Sequence, residues 1–365
     1  MTNELFVILV GLLVSRLLFY RFPLLGRREP IAQSPKLSVI IPARNEDKNL
    51  ALLMKDLKEQ SLPIYEVICV DDASTDSTAA VASSFDVKLI SLSDKPEGWI
   101  GKSWACQNGA DAAGGDLMLF LDADVRLGKE GISRLLCAYE DNHCTISVLP
   151  YHCMQEKYEQ LSMFFNIVEF AATGLGLPFK KRKIGLYGPV ILMNRSDYYG
   201  FGGHESIKGS IIEDLAIGGK LKSLGMPFRL FLGDRDISFR MYAGGIKDLL
   251  QGWTKNQSNG AMKTPPDMFI MVFLWMTACT SVTVQLMRAI AEGDSSWIAA
   301  YTALYLIWVL EIWRISIHLG SFGLRGIRIY PVLLVFYLWV FALSAVKKIF
   351  QSNVVWKERN IRLEK

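Results

Sequence analysis

No two of the six cysteines form a C-x-x-C pair, and Cys69, Cys106, Cys137, Cys144, Cys153 and Cys279 follow no regular spacing. This argues against a zinc knuckle and against a disulfide framework, and reduced thiols suit a cytosolic compartment. A long basic run is also missing from the middle of the chain, where the densest cluster is Lys180-Lys181-Arg182-Lys183, and the net charge is only +4. Nucleic-acid binding is thereby disfavoured, and a patch meeting anionic head groups is the better use of those side chains. The Gly-rich basic loop with which a nucleotidyltransferase would cradle a triphosphate is absent near the N-terminus. Internal repeats and low-complexity tracts are absent too.

Apolar residues are plentiful, at 51% of the 365 residues with a mean hydropathy of +0.23, and they concentrate at the two ends. Residues 5–20 are broken only by Ser15 and Arg16 and are followed by Arg21, Arg27 and Arg28. Because the charges follow the apolar run and no small-residue cleavage pattern appears, the segment reads as an uncleaved N-terminal transmembrane anchor over residues 1–22. Residues 268–287, 297–319 and 329–346 form C-terminal membrane segments within 267–348. The first two reach the roughly 20 apolar residues that a spanning helix needs. The third is shorter, has Pro331 near its start, and leads through Lys347 and Lys348 into a basic tail at 349–365. The positive-inside rule sets the basic flanks, the tail and the middle domain on the cytoplasmic side of a cell membrane. That arrangement leaves the last segment re-entrant or interfacial.

Between the ends, over residues 35–262, short apolar runs at 37–41, 66–70, 87–91 and 117–121 alternate with helical patterns at 49–60, through 82, and at 102–113. Alternation of this kind predicts an α/β fold with a mostly parallel sheet and right-handed crossovers. A further strand is expected at 147–151 and helices at 156–172 and 215–224. Ligands of such sheets bind beyond the C-terminal ends of the strands. Three of these strands run into polar clusters there: Pro42-Ala43-Arg44-Asn45-Glu46, Asp71-Asp72 and Asp122-Ala123-Asp124.

Asp122-x-Asp124 can hold Mg²⁺ or Mn²⁺, which bridges diphosphate oxygens; the plain alternative is a solvated turn pair. Asp71-Asp72 can accept from a base N–H or a ribose hydroxyl, while Ser74 or Asp76 caps the next helix. The cluster ending in Glu46 reads, alone, as first-turn capping material. Asp214, in Ile211-Ile212-Glu213-Asp214, can take the proton of an acceptor hydroxyl in an inverting sugar transfer, or can simply open a helix. Tyr151, His152 and His204 are candidates to line an acceptor site, against the commoner case of a buried, satisfied histidine.

Taken in order, Pro42-Ala43-x-Asn45-Glu46, Asp71-Asp72-x-Ser74-x-Asp76, Asp122-x-Asp124, Gly202-Gly203-His204 and Glu213-Asp214 resemble family 2 glycosyltransferases of the GT-A fold over roughly residues 37–256. The resemblance implies a UDP-sugar donor and a bound Mg²⁺ or Mn²⁺. It implies that Pro42, Ala43 and Glu46 line the nucleoside pocket and that Asp72 contacts uracil. Asp122 would serve ribose and diphosphate, Asp124 the metal, and Asp214 would be the base. Lys102, in Gly98-Trp99-x-Gly101-Lys102-Ser103, matches a lysine that many members keep near the nucleotide.

The chain is similar, more narrowly, to the glycosyltransferases of bacterial C30 carotenoid acids through Gly101-Lys102-Ser103-x-Ala105-Cys106, Pro150-Tyr151-His152, Phe239-Arg240-Met241-Tyr242 and Gln251-Gly252-Trp253-Thr254-Lys255. That likeness implies glucose esterified to a carotenoid carboxylate, a lipid-like acceptor that needs no deprotonation at neutral pH. Polymerising members carry Gln-x-x-Arg-Trp where this chain has Gln251-Gly252-Trp253-Thr254-Lys255, which argues against chain polymerisation. Trp253 is a candidate to stack on an acceptor or sugar, and Arg240 and Lys255 are candidates to stabilise the diphosphate.

Overall fold

The computed structural model of the chain describes residues 2–26, 35–179, 185–210, 212–350, 353–356 and 359–362. Arg27 and Arg28, the basic cluster at 180–183, and the side chains of Lys255 and of the basic tail at 349–365 lie outside what is described.

The elements run α1 (Thr2–Leu18), β1 (Leu37–Ala43), α2 (Asp47–Lys58), β2 (Glu66–Asp72), α3 (Thr78–Ser83), β3 (Lys88–Leu92), α4 (Gly101–Ala112), β4 (Leu117–Leu121), β5 (Val125–Leu127), α5 (Gly131–Asn142), β6 (Thr145–Leu149) and β7 (Tyr151–His152). They continue with α6 (Met163–Ala172), β8 (Val190–Asn194), α7 (Arg195–Gly200), α8 (Glu213–Ser223), β9 (Phe228–Leu232), β10 (Ile237–Phe239), α9 (Ile246–Lys263), α10 (Pro266–Glu292), α11 (Ser295–Ser316), α12 (Leu324–Arg328), α13 (Tyr330–Phe350), β11 (Asn353–Trp356) and β12 (Arg359–Arg362). Short 3₁₀ turns cover Lys157–Ser162 and His204–Ile207.

The chain divides into two compact units, one made of residues 24–153, 185–241 and 352–365, the other of 1–23, 154–184 and 242–351. The first contains a seven-stranded sheet in the order β3-β2-β1-β4-β8-β6-β9. Pairings β1–β2, β2–β3, β1–β4 and β6–β9 are parallel, whereas β8 runs antiparallel to both β4 and β6. The α/β fold with a mostly parallel sheet is therefore as expected. Helices cover both faces of such a sheet, which is why β4 is apolar at every position and buried at all of them. On α2, Leu50, Leu53, Met54 and Leu57 recur at helical spacing and are the buried face. The strand expected at 147–151 is instead two, β6 and β7, separated by Pro150, whose missing N–H cannot serve a ladder. A small second sheet has the order β5-β10-β7.

The reversal at β8 matters for the site. Its first residue, Val190, pairs with Leu121, the last of β4, so the preceding Gly188-Pro189 lies beside the Asp122 turn. Asp122 N donates to Pro189 O at 2.9 Å.

The second unit is helical. Among the described residues, three of its helices are long and apolar enough to cross a membrane: Pro266–Glu292, Ser295–Ser316 and Tyr330–Lys348. The last runs past the 329–346 read from the sequence, because Pro331 sits at the start of α13, where proline is compatible with a helix, and leaves its length intact. The expected N-terminal transmembrane anchor is not supported. The helix α1 forms, but at 17 residues it falls short of the roughly 20 required, and it carries Arg16. Instead α1 packs on α10, with Gly11 set so close to Ala278 that a Cβ there would lie 2.0 Å from the alanine Cβ. A buried polar cluster joins α1 to α10 and α11: Glu311 accepts from Ser15 Oγ at 2.9 Å and from Arg314, and Trp275 Nε1 donates to Ser15 Oγ at 3.2 Å.

Candidate active site

The first two polar loops are stitched to each other. Arg44 extends its guanidinium to the carbonyls of Asp72 and Ala73. Asn45 N donates to Ser74 Oγ at 3.0 Å, Thr75 N to Asn45 Oδ1 at 2.8 Å, and Glu46 N to Thr78 Oγ1 at 2.8 Å. Asn45 and Ala73 both adopt positive φ, 52° and 51°, which the reciprocal bonds hold in place. Asp76, not Ser74, serves the start of α3, accepting from Thr78 N at 2.9 Å. The polar residues at the ends of β1 and β2 thus form one rigid rim, with Pro42 opposite Val70, Ala43 opposite Asp71, and Asp72 buried. The Glu46 carboxylate accepts from Asn49 Nδ2 at 2.7 Å.

A charged centre lies beyond β4. Lys102, in the first turn of α4, places Nζ 2.8 Å from Asp122 Oδ1 and 2.8 Å from Glu213 Oε1. One ammonium therefore links the Asp-x-Asp turn to the start of α8. Burial opposes the charge on Lys102, but Asp122 and Glu213 outweigh it and hold its pKa well above the ordinary lysine range. Burial pushes Asp122 above the usual carboxylate value against the pull of Lys102.

Asp214 follows Glu213 in the first turn of α8. Its Oδ1 accepts from Leu215 N at 2.8 Å, and a Cβ on Gly188 would stand 3.2 Å from Oδ2. Burial first, then the charge of Glu213, raises its pKa to about 7, while Lys102 opposes the shift. Helix α8 comes this close because two glycines meet: a Cβ on Gly218 would lie 2.4 Å from Gly185 Cα.

His204 is buried, with Nδ1 2.9 Å from Tyr198 Oη and its ring 5.1 Å from that of Phe120. Burial lowers its pKa to about 4, so the ring is neutral at pH 7 and belongs to the packing under the centre. His152 is buried with its ring 5.1 Å from Phe239.

The remaining expected residues stand on other elements. Arg240 follows β10, in the small sheet. Trp253 is in α9 of the helical unit, 3% exposed, stacked on Phe165 at 4.5 Å, with Nε1 donating to Ser162 Oγ at 3.1 Å. One face of the indole and its N–H are committed to packing, and the Tyr242 ring stands 5.5 Å away with its plane at 67°. Lys255 is in α9 as well.

Glu213 is the residue that sequence reasoning passed over in favour of Asp214. Its signal was its place beside an expected base, but nothing in the sequence paired it with Lys102. Among the described residues no three His, Cys, Asp or Glu side chains converge as a metal cage.

Residues 38–199 match the model of "Glycosyl transferase family 2". A 4,4'-diaponeurosporenoate glycosyltransferase of Staphylococcus aureus is 32% identical over 335 residues, covering 90% of this chain and 89% of the relative. The chain belongs to glycosyltransferase family 2. An enzyme of the same name from Staphylococcus haemolyticus is 38% identical over 250 residues, 67% of this chain and 66% of that protein. Among solved structures, mannosyltransferase PcManGT from Pyrobaculum calidifontis, in complex with GDP-Man and Mn²⁺, superposes with a TM-score of 0.54 at 16% identity, covering 95% of this chain and 96% of that one. The fold is GT-A, and the protein is a nucleotide-sugar-dependent transferase.

Proposed function

We propose that the protein is a membrane glycosyltransferase that moves glucose from a UDP-sugar to the carboxylate of a lipid-like acceptor of the C30 apocarotenoid class, with inversion at the anomeric carbon. The observation that carries this reading is the Lys102 bridge between Asp122 and Glu213, with Asp214 alongside, at the strand ends where an α/β sheet takes its ligand. The acceptor class is supported by the Staphylococcus relatives, which are named for a diaponeurosporenoate. Three apolar helices support residence in the membrane, and the basic flanks support a catalytic unit facing the cytoplasm.

In this reading Pro42, Ala43 and Glu46 border the nucleoside, Asp72 accepts from uracil, and Asp122 accepts from ribose. Asp124 would hold Mg²⁺ or Mn²⁺, a role supported by the Mn²⁺ in the mannosyltransferase complex. When bound, the ion neutralises charge on the departing diphosphate. Lys102 adds a second positive charge at the same place. The acceptor carboxylate is ionised at neutral pH and attacks the anomeric carbon. The bond from that carbon to the diphosphate oxygen breaks, and its electron pair leaves on UDP. No proton has to be removed, so Asp214 orders a carboxylate acceptor and acts as general base only toward a hydroxyl.

The test is UDP release by the purified full-length protein with UDP-glucose and Mn²⁺ or Mg²⁺, with and without an apocarotenoid acid, beside Asp124→Ala. Release that requires metal and acceptor and is lost in the variant is the expected result. Equal release by the variant would remove Asp124 from the site, and no release by wild type with any acid acceptor would overturn the reading.

A further inference from the structure

The first turn of α4 carries Lys102 but has little of its own to hold it. Its N-cap is Ile100, which gives no side-chain acceptor to the free amides of the turn. An apolar residue there forgoes the cap that Ser, Thr, Asp or Asn would supply. Two buried polar atoms of the same turn, Ser103 Oγ and Trp104 Nε1, have no hydrogen-bond partner among the described residues.

What closes the turn is an aromatic pair. Trp99 precedes the N-cap and Trp104 is the fourth residue of the helix; their ring centroids lie 4.9 Å apart with planes at 60°. This is the spacing of a hydrophobic staple, which fixes the angle at which the chain enters a helix. The approach is tied down as well. Ile100 N donates to Lys208 O at 2.9 Å, Trp99 N to Pro96 O at 3.3 Å, and Lys95 Nζ to Trp99 O. Gly98, at φ +81°, makes the bend that brings Trp99 back over the helix.

We infer that Trp99 is a positioning residue: it staples the first turn of α4 so that Lys102 Nζ stays between Asp122 and Glu213. Trp99 need touch neither donor nor acceptor to do this. Without the staple the turn frays, Lys102 leaves, and Asp122 and Glu213 lose the cation they share. The kinetic side of the inference rests on the proposed sugar transfer; the structural side does not.

The experiment uses full-length protein in detergent and compares wild type, Trp99→Ala, Trp99→Phe, Lys102→Met and the Trp99→Ala/Lys102→Met double variant. Hydrogen exchange is read at the amides of 104–106, the first to donate within the helix, and kcat and KM are read for the donor. Expected are exchange at those amides faster by about tenfold in Trp99→Ala and restored in Trp99→Phe, with no change in β1 or β4. The roughly tenfold fall in kcat/KM caused by Trp99→Ala should vanish when Lys102 is already Met, because one contact cannot be lost twice. Leu57→Ala, a remote core change, should lower Tm without this local signature. Unchanged exchange at 104–106, or losses that multiply in the double variant, would overturn the inference. If wild type turns over no donor, the transfer reading fails while the exchange comparison still decides the staple.

Discussion

At Asp214, burial and the neighbouring Glu213 favour the protonated carboxyl, while the cation that opposes them, Lys102, is shared between Glu213 and Asp122. The consequence for pH follows from linkage. With the native pKa at about 7 and the ordinary value at 3.8, the folded protein keeps a proton that the unfolded chain has released in between. Stability from this residue is therefore fully present below the ordinary value and is lost as pH rises toward about 7. Metal-free protein should lose a few degrees of Tm between about pH 5 and about pH 8, and Asp214→Asn should flatten that slope, read by thermal unfolding at fixed ionic strength. A slope unchanged in the variant would show that another group sets it. The same substitution separates the two catalytic roles. Toward a carboxylate acceptor Asp214→Asn should cost about tenfold or less in kcat, against the roughly 10²–10⁴-fold expected where a base must remove a proton.

Helix α8 owes its position to the absence of two side chains, since Gly185 and Gly218 bring backbone against backbone. Gly218→Ala must push the helix off or unseat it; overpacking of this kind costs about 1–3 kcal/mol. The expected result is a lowered Tm together with a fall in kcat larger than the rise in donor KM, because α8 carries Asp214. An unaltered kcat would mean that the helix moves without disturbing the site. Much of this architecture was legible beforehand. Strands β1, β2 and β4 are short, largely buried apolar runs that end in or run into acidic or polar residues, and burial on both faces makes such runs easy to read. The break at Pro150 was readable in principle, since proline cannot continue a central ladder. The reversed direction of β8 was not, because a five-residue apolar strand carries no mark of which way it runs. Lys102, Asp122 and Glu213 are each visible as polar residues near element ends, yet their convergence depends on crossovers that no local pattern encodes. Trp253 misled in the opposite sense: an indole before a membrane helix resembles a binding platform until Phe165, Tyr242 and Ser162 are seen to occupy it.

Across the whole molecule, neither unit is a continuous stretch of chain, and residues 154–184 of the helical unit interrupt the catalytic one. Removing the terminal helices would therefore not free a soluble catalytic domain. A fragment of residues 24–241 retains α6, whose Met163, Phe164, Phe165, Ile167 and Phe170 are buried in the full chain. It should aggregate, or bind detergent, where a fragment that also replaces 154–184 with a short polar linker stays monodisperse by size exclusion. Monodisperse behaviour of the simple 24–241 fragment would contradict this.

The Lys102 bridge imposes an order of events during synthesis. Asp122 leaves the ribosome soon after Lys102, but Glu213 follows roughly 90 residues later, a delay on the order of 5–20 s. In that interval α6 emerges ahead of its partners, since Trp253 and Trp275, which meet Phe165 and Phe164, are made after Glu213. The lysine that later balances two carboxylates has only one to meet until α8 arrives, so the bridge closes only when Glu213 emerges.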